Sequence, residues 1–201
     1  MDLFWLPLGA GGRFVRSNGR FYEALAARLE HRERSPLYHS ALEVHLGGDH
    51  YVIEQAPVWN MKDPERGVVC EGPVGARWVG RIRLFRYEGR RWRNGIIPDR
   101  SEALDSPLRL STDATQARHV LDLVPAFPAA TWGRDEQRTG EMWNSNSLIA
   151  WLLGRSGHET DAIAPPVPGR APGWFAGLQV ARREAGESGR TTTPLTAPLV
   201  R

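Results

Sequence analysis

Apolar and polar residues alternate over residues 37–45 and 50–55, and this pattern predicts two β-strands. The segment between them reads Leu46-Gly47-Gly48-Asp49. Two adjacent glycines supply the positive φ values that a tight hairpin turn needs. The sequence therefore predicts an antiparallel hairpin in this part of the chain.

The same alternation gives the first strand two different faces. His39, Ala41 and Glu43 fall on one face, and the more apolar residues Ser40, Leu42 and Val44 fall on the other. We expect the face with His39 to point toward the helices. Leu42 and Val44 would then point away from the helices. Because they are apolar, we expect other residues to cover that face of the strand as well.

Further elements follow from shorter patterns. Residues 1–20 carry glycine turn signals and are expected to form an irregular lead-in. Strands are predicted over 67–71 and 81–92, and helices over 21–31, from Ser111 to the proline at 125, over 145–153 and over 174–183.

The helix predicted over 145–153 is apolar nearly all round, which places it in the middle of a core. The predicted fold class is therefore α+β, with an antiparallel β-sheet packed against a central apolar helix. We expect a single domain over 21–183. Residues 184–201 are rich in Gly, Ser, Thr and Pro and predict a disordered tail.

The composition of the chain bears on where in the cell the protein is located. No apolar run reaches the roughly 20 residues that span a bilayer. The apolar stretch 3–8 lacks a basic flank and is interrupted by Pro7, so it is a poor signal peptide. Cys70 is the single cysteine and lies in an apolar strand pattern, which predicts an inert buried thiol. We expect a cytoplasmic protein without a membrane partner.

Arginines and aromatic residues interleave over residues 77–93 of a chain with formal charge +3. Such a mixture can bind nucleic acid through phosphate contacts and stacking. The alternation Arg81-Ile82-Arg83-Leu84-Phe85-Arg86-Tyr87 equally suits an edge strand with arginines on its solvent side. We favour the edge strand, with mostly exposed arginines and no nucleic-acid site.

Two short motifs carry the candidate chemistry. The first is Tyr38-His39-Ser40-Ala41-Leu42-Glu43-Val44, at the start of the hairpin, and the second is Asn144-Ser145-Asn146-Ser147, at the start of the apolar helix. Together they resemble the PPPDE family of permuted papain-fold peptidases, which includes desumoylating isopeptidases, and the wider group of lecithin:retinol acyltransferase-like proteins. In that family a histidine opens a strand, and an Asn-Cys-Asn motif opens a helix far downstream. Ser145 replaces the cysteine.

The resemblance implies a permuted papain-like fold and a role for each motif residue. His39 would be the general base, and Ser145 would occupy the nucleophile position. Glu54 is the candidate that orients the imidazole, with His50 as the alternative. Asn144, Asn146 or the backbone N–H groups near Ser145 would bind an oxyanion or the substrate. Without the histidine motif, Asn144 and Ser145 would be interpreted first as helix N-caps, for which Asn and Ser are preferred residue types.

The serine leaves three hypotheses open. A serine hydroxyl cannot be stored as an alkoxide and needs a well-oriented base, whereas a cysteine ionises readily in this setting. The leading hypothesis is therefore a catalytically degenerate protein whose cleft still binds a peptide or an acyl-bearing partner. The second is an active Ser-His hydrolase or acyltransferase on the same scaffold, and the third is an arginine-rich nucleic-acid-binding domain.

Metal ligands are also considered in the hairpin. His45, Asp49 and His50 lie close together, but no second group of ligands accompanies them. Histidines and a carboxylate on a turn are usually solvated, so we expect neither a metal nor another cofactor.

Overall fold

The computed structural model describes residues 1–8, 23, 27–28, 31–57, 67–82, 85–97 and 99–191. In this part of the chain the fold is α+β, as predicted. A six-stranded antiparallel sheet has the strand order β4-β5-β3-β2-β1-β6. Its strands are β1 (Asp2–Pro7), β2 (Tyr38–Leu46), β3 (Asp49–Pro57), β4 (Val68–Pro73), β5 (Arg86–Arg93) and β6 (Leu104–Arg109).

The predicted hairpin is confirmed. Strand β2 pairs antiparallel with β3, and Leu46 lies opposite Asp49 across the turn. Gly47 and Gly48 have φ values of 61° and 88°, a left-handed conformation that glycine adopts without steric cost. The two-residue turn sets the register of both strands.

The expectation of an irregular lead-in is wrong for the described residues at its start. Asp2–Pro7 form strand β1, which lies between β2 and β6 in the sheet. Leu3, Phe4, Trp5 and Leu6 are each at most 1% exposed. A strand buried on both faces has a continuous apolar run, so it lacks the alternation that identifies a half-buried strand. Residues 9–20 lie outside the described part of the chain.

The alternation along β2 is correct, but the expected assignment of its faces is reversed. Leu42 and Val44 pack in one apolar cluster with Leu148 and other residues of the helices. Ala41 belongs to a second cluster on the opposite face of the sheet, with Phe4, Leu6, Val52 and Ile97. Apolar side chains favour the larger core. This preference decides which face of β2 meets the helices.

The described residues include three α-helices with known bounds: α1 (Ala114–Leu123), α2 (Ser145–Arg155) and α3 (Trp174–Thr191). Helix α1 begins later than predicted, because Asp113 rather than Ser111 caps it and accepts bonds from the N–H groups of Thr115 and Gln116. Helix α2 begins at Ser145, as predicted, and packs between α3 and the sheet. None of the helices in the described ranges is long and apolar enough to cross a bilayer.

One other boundary differs from the predictions. Helix α3 continues to Thr191, through part of the segment expected to be disordered, and residues 192–201 lie outside the described part. The helix predicted over 21–31 lies mostly outside the described residues, and within it Glu23, Ala27 and Arg28 are helical.

The strand expected over 81–92 begins only at Arg86. Residues Arg77–Arg81 instead form a 3-10 helix. Strand β5 is also not an edge strand, since it lies between β4 and β3. Carboxylates on the neighbouring strands pair with arginines of β5, as Glu54 does with Arg90 and Glu71 with Arg86. The sequence of β5 alone does not show these partners.

Candidate active site at the start of helix α2

Helix α2 begins at a capping box formed by Asn144 and Ser147. Asn144 Oδ1 accepts hydrogen bonds from the N–H groups of Asn146 (2.9 Å) and Ser147 (3.3 Å). In return, the Asn144 N–H donates to Ser147 Oγ over 3.1 Å. Because these bonds satisfy donors that a helix start leaves unpaired, the local sequence is sufficient to begin the helix at Ser145.

Asn146 joins the helix to the strand that carries the other motif. Its Oδ1 accepts a hydrogen bond from Ser40 Oγ over 2.9 Å. Its Nδ2 donates to the carbonyl oxygens of Tyr38 and Pro172, both over 2.9 Å. The two sequence motifs therefore meet through the residues that directly follow His39 and Ser145.

His39 lies on the other side of strand β2. Since Ser40 points toward α2, the alternation of the strand directs His39 toward the face of Ala41, and its cross-strand neighbour is Leu6. The imidazole makes no hydrogen bond to any described residue. Burial lowers its pKa from 6.5 to about 4. His39 is therefore a neutral imidazole at physiological pH.

Among the described residues, no hydrogen bond joins Ser145 or Glu54 to His39 or to each other. Ser145 is 5% exposed, and its hydroxyl makes no hydrogen bond to the described residues. Glu54 accepts a hydrogen bond from Arg90 Nη1 over 2.8 Å, and Arg90 Nε binds Glu88 over 3.1 Å. Burial raises the pKa of Glu54, against the opposing effect of Arg90. The catalytic roles of His39, Ser145 and Glu54 stay predictions.

The expected oxyanion donors are engaged within the fold. Both Asn146 Nδ2 bonds and the N–H groups of Asn146 and Ser147 have the partners described above. Asn144 Nδ2 donates to the carbonyl oxygen of Pro172 over 2.8 Å. A substrate oxygen could use these donors only by displacing hydrogen bonds within the fold. The amide bonds to Tyr38 and Pro172 attach the start of α2 to strand β2 and to the chain that precedes α3.

An open cleft of about 550 Å³ lies beside the start of α2, between the segments 133–142 and 165–172. Pro172 belongs to its wall and also accepts the bonds from Asn144 and Asn146. Two carboxylates in the wall hold backbone N–H groups. Asp135 accepts from Thr139 (2.7 Å) and Gly140 (2.8 Å), and Glu141 accepts from Gly173 (2.9 Å). These bonds stiffen the wall of the cleft. The backbone hydrogen bonds to Asp135, that from Thr139 above all, lower the pKa of its carboxyl group.

Four of the six described arginines of the segment 77–93 have a carboxylate partner. Carboxylates pair with Arg77 (Glu136), Arg86 (Glu71), Arg90 (Glu54 and Glu88) and Arg93 (Asp49). Arg90 is also 1% exposed, in contrast to the expected exposure of these arginines. Phosphate binding would have to compete with these carboxylates, which weighs against the nucleic-acid hypothesis.

The single thiol is a poor alternative nucleophile. Cys70 lies in strand β4 opposite Gly89. Burial raises the pKa of the Cys70 thiol, which lowers the thiolate fraction at neutral pH.

Ser40 and Pro172 also belong to this site, although neither was predicted from the sequence. Ser40 follows the histidine of the first motif, and a hydroxyl on an otherwise apolar strand face was a usable signal. Pro172 contributes only its backbone carbonyl, for which no signal exists in the sequence.

Comparisons of this chain with protein-family models, with curated proteins and with solved structures found no match.

Proposed function

We propose that this protein is a permuted papain-fold protein of the PPPDE type that has lost catalysis and binds a peptide or an acyl-bearing partner. The observation that carries this proposal is the state of Ser145. Ser145 is 5% exposed as a residue and its hydroxyl has no hydrogen bond from a base among the described residues, while a cleft lined by Met142 and Pro172 lies near the start of its helix.

The family part of the proposal rests on the meeting of the two motifs. Strand β2, which carries His39, and helix α2, which begins with Ser145, lie next to each other, although more than a hundred residues separate the two motifs in the chain. The Ser40–Asn146 bond makes this contact specific. An antiparallel sheet against a buried helix is the arrangement that the resemblance implies.

The loss of catalysis rests on chemistry. A serine nucleophile needs a base within about 2.6–3.2 Å to remove its proton during attack. The imidazole of His39 is directed to the opposite face of the sheet, and the carboxylate of Glu54 is bound by Arg90 instead. The donors that could stabilise an oxyanion hold the fold together.

Binding of a peptide rests on the cleft. Its volume is within the usual range of ligand clefts, about 300–1,000 Å³. Asp135, Glu141 and Arg170 are among the residues that line it, so its wall contains both acidic and basic residues, which suits a polar peptide with charges of both signs.

The first arm of the test measures turnover. The wild-type chain and Ser145→Ala are incubated with fluorogenic peptide, isopeptide and ester substrates, and with a fluorophosphonate probe. We expect equal background rates and no probe on Ser145, because the residue is 5% exposed and no base is hydrogen-bonded to its hydroxyl. Labelling of Ser145, or turnover lost in Ser145→Ala, would overturn the degenerate assignment and favour the Ser-His hydrolase.

The second arm measures binding. Peptides are selected from a random display library on the wild-type chain, and their affinities are measured by calorimetry. Ala171→Trp fills the cleft and should abolish binding, whereas Ala129→Trp, at an exposed position outside it, should not. Thermal melts confirm that both variants fold. Selected peptides that bind both variants equally, or a library that yields none, would contradict the proposal.

A further inference from the structure

Three side chains with metal-ligating atoms meet beside the β2–β3 turn. Glu43 and His45 lie two residues apart on one face of β2, and His50 is the cross-strand partner of His45. One ligand atom from each residue lies within 4.8 Å of the others. The two imidazole rings stack with centroids 5.0 Å apart, and His50 Nε2 lies 3.8 Å from Glu43 Oε1.

The register of the hairpin explains why Glu43 belongs to this cluster and Asp49 does not. Period-two geometry places Glu43 on the face of His45, whereas Asp49 binds Arg93 over 2.6 Å. The sequence analysis considered Asp49 because it is close in the chain. The carboxylate that lies with the two histidines is therefore that of Glu43, and not that of Asp49.

We propose that Glu43, His45 and His50 form a binding site for a divalent transition-metal ion of the Zn²⁺ type. Two imidazole nitrogens and one carboxylate oxygen are a donor set that Zn²⁺ accepts, with a fourth position left for water or another ligand. Mg²⁺ and Ca²⁺ prefer oxygen ligands and fit this set poorly.

The geometry needs only a modest closure. Ligands at zinc distances of about 2.0–2.2 Å in a tetrahedron lie roughly 3.3–3.5 Å apart. His45 is exposed and His50 is half-buried, so rotation about χ2, a soft torsion in histidine, can turn both nitrogens toward a common point. The short turn keeps the two strands in register while the rings move.

Arg100 is a charged neighbour of this site, and it contacts the same Glu43 oxygen that lies 3.8 Å from His50 Nε2. Its Nη1 lies 2.9 Å from Glu43 Oε1, and its guanidinium packs over the ring of Phe4 with a distance of 5.0 Å to the centroid. Glu43 Oε2 makes no hydrogen bond to the described residues. Since Arg100 is half-exposed, solvent screens its repulsion of a cation, while Glu43 itself is 3% exposed and has a rigid position.

The test uses the full chain without a histidine tag, freed of metals by a chelator. Zn²⁺ affinity is measured by competition with a chromophoric chelator, and Co²⁺ is used to record the absorption bands of tetrahedral coordination. We expect a single saturable site. His45→Gln and His50→Gln should each weaken binding by more than about tenfold, because even residues that only support ligands contribute 10–100-fold to metal affinity.

The matched control is His119→Gln, which removes an exposed histidine from helix α1 and should leave the affinity unchanged. Zn²⁺ should also raise the melting temperature of the wild type and of His119→Gln, but not of His45→Gln. Excess Mg²⁺ should not displace Co²⁺. Equal Zn²⁺ affinity in the wild type and in a His45→Gln/His50→Gln double variant would overturn the proposal.

Discussion

The Ser40 hydroxyl donates a hydrogen bond to Asn146 Oδ1 over 2.9 Å, which joins strand β2 to the first turn of helix α2 in the buried interior. Asn146 also binds the carbonyl oxygens of Tyr38 and Pro172. One amide side chain thus connects the strand, the helix and the segment that leads into α3. This connection has consequences for stability that can be measured.

Ser40→Ala should destabilise the protein by about 1–3 kcal/mol, because it leaves Asn146 Oδ1 buried without a donor. Asn146→Asp should cost more, since a carboxylate would face the Tyr38 and Pro172 carbonyl oxygens. Urea unfolding at neutral pH measures both. The exposed Ser101→Ala serves as the control. A Ser40→Ala effect below about 0.5 kcal/mol, as for an ordinary surface change, would show that the bond contributes little.

His39 should make the protein sensitive to acid. Its pKa is about 4 in the folded protein and 6.5 when exposed, so the unfolded chain binds a proton first as the pH falls. Stability should therefore decrease between pH 6.5 and 4, by up to about 3 kcal/mol over the full range. His39→Gln should remove this part of the pH dependence, measured as urea unfolding free energy against pH. His119→Gln, at an exposed position, should keep it, and parallel curves for the wild type and His39→Gln would contradict the assignment.

Arg90 should be essential for folding near pH 7. Arg90→Met leaves Glu54 and Glu88 without this partner in the interior, a change that costs about 3–5 kcal/mol for a buried pair. Burial already raises the pKa of Glu54, and loss of Arg90 raises it further. Because the folded variant then takes up a proton more readily than the unfolded chain, the variant should regain stability relative to the wild type as the pH is lowered from 7 toward 5.

Two variants control the Arg90 experiment. Adding Glu54→Gln and Glu88→Gln to Arg90→Met should restore much of the lost stability, because the buried charges are gone. Arg77→Met breaks an ion pair with an exposed arginine and should cause a much smaller loss. Equal losses for Arg90→Met and Arg77→Met would show that burial of the network has no energetic effect.

The new thiol of Ser145→Cys should react slowly with an alkylating reagent. The variant is made in a Cys70→Ser background, and its rate with iodoacetamide is compared with that of an exposed Ser101→Cys thiol. We expect the thiol at 145 to react more slowly, because the residue there is 5% exposed, and His39→Ala should not change its rate. A fast reaction that disappears with His39→Ala would mean that the imidazole reaches position 145, as in a catalytic pair.

The parts of the fold that depend on nearby residues could be predicted from the sequence. The turn at Gly47 and Gly48 needs only positive φ values, and the start of α2 needs only the side chains of Asn144 and Ser147. Strand β1 could not be recognised, because burial on both faces removes the alternation of polar and apolar residues. The start of β5 depends on its pairing with β3 and β4, which are distant in the chain.

The same distinction between local sequence and tertiary packing applies to the candidate site. The order of the motifs and their place on a strand and a helix follow from the sequence, since periodicity and capping act over a few residues. Tertiary packing alone decided that Ser40 rather than His39 faces helix α2, that Arg90 binds Glu54, and that Glu43 joins His45 and His50. These contacts depend on which face of a strand is covered and on which charges lie opposite across the sheet. Neighbours along the chain do not determine either, because the larger apolar cluster is built from segments that only folding brings together.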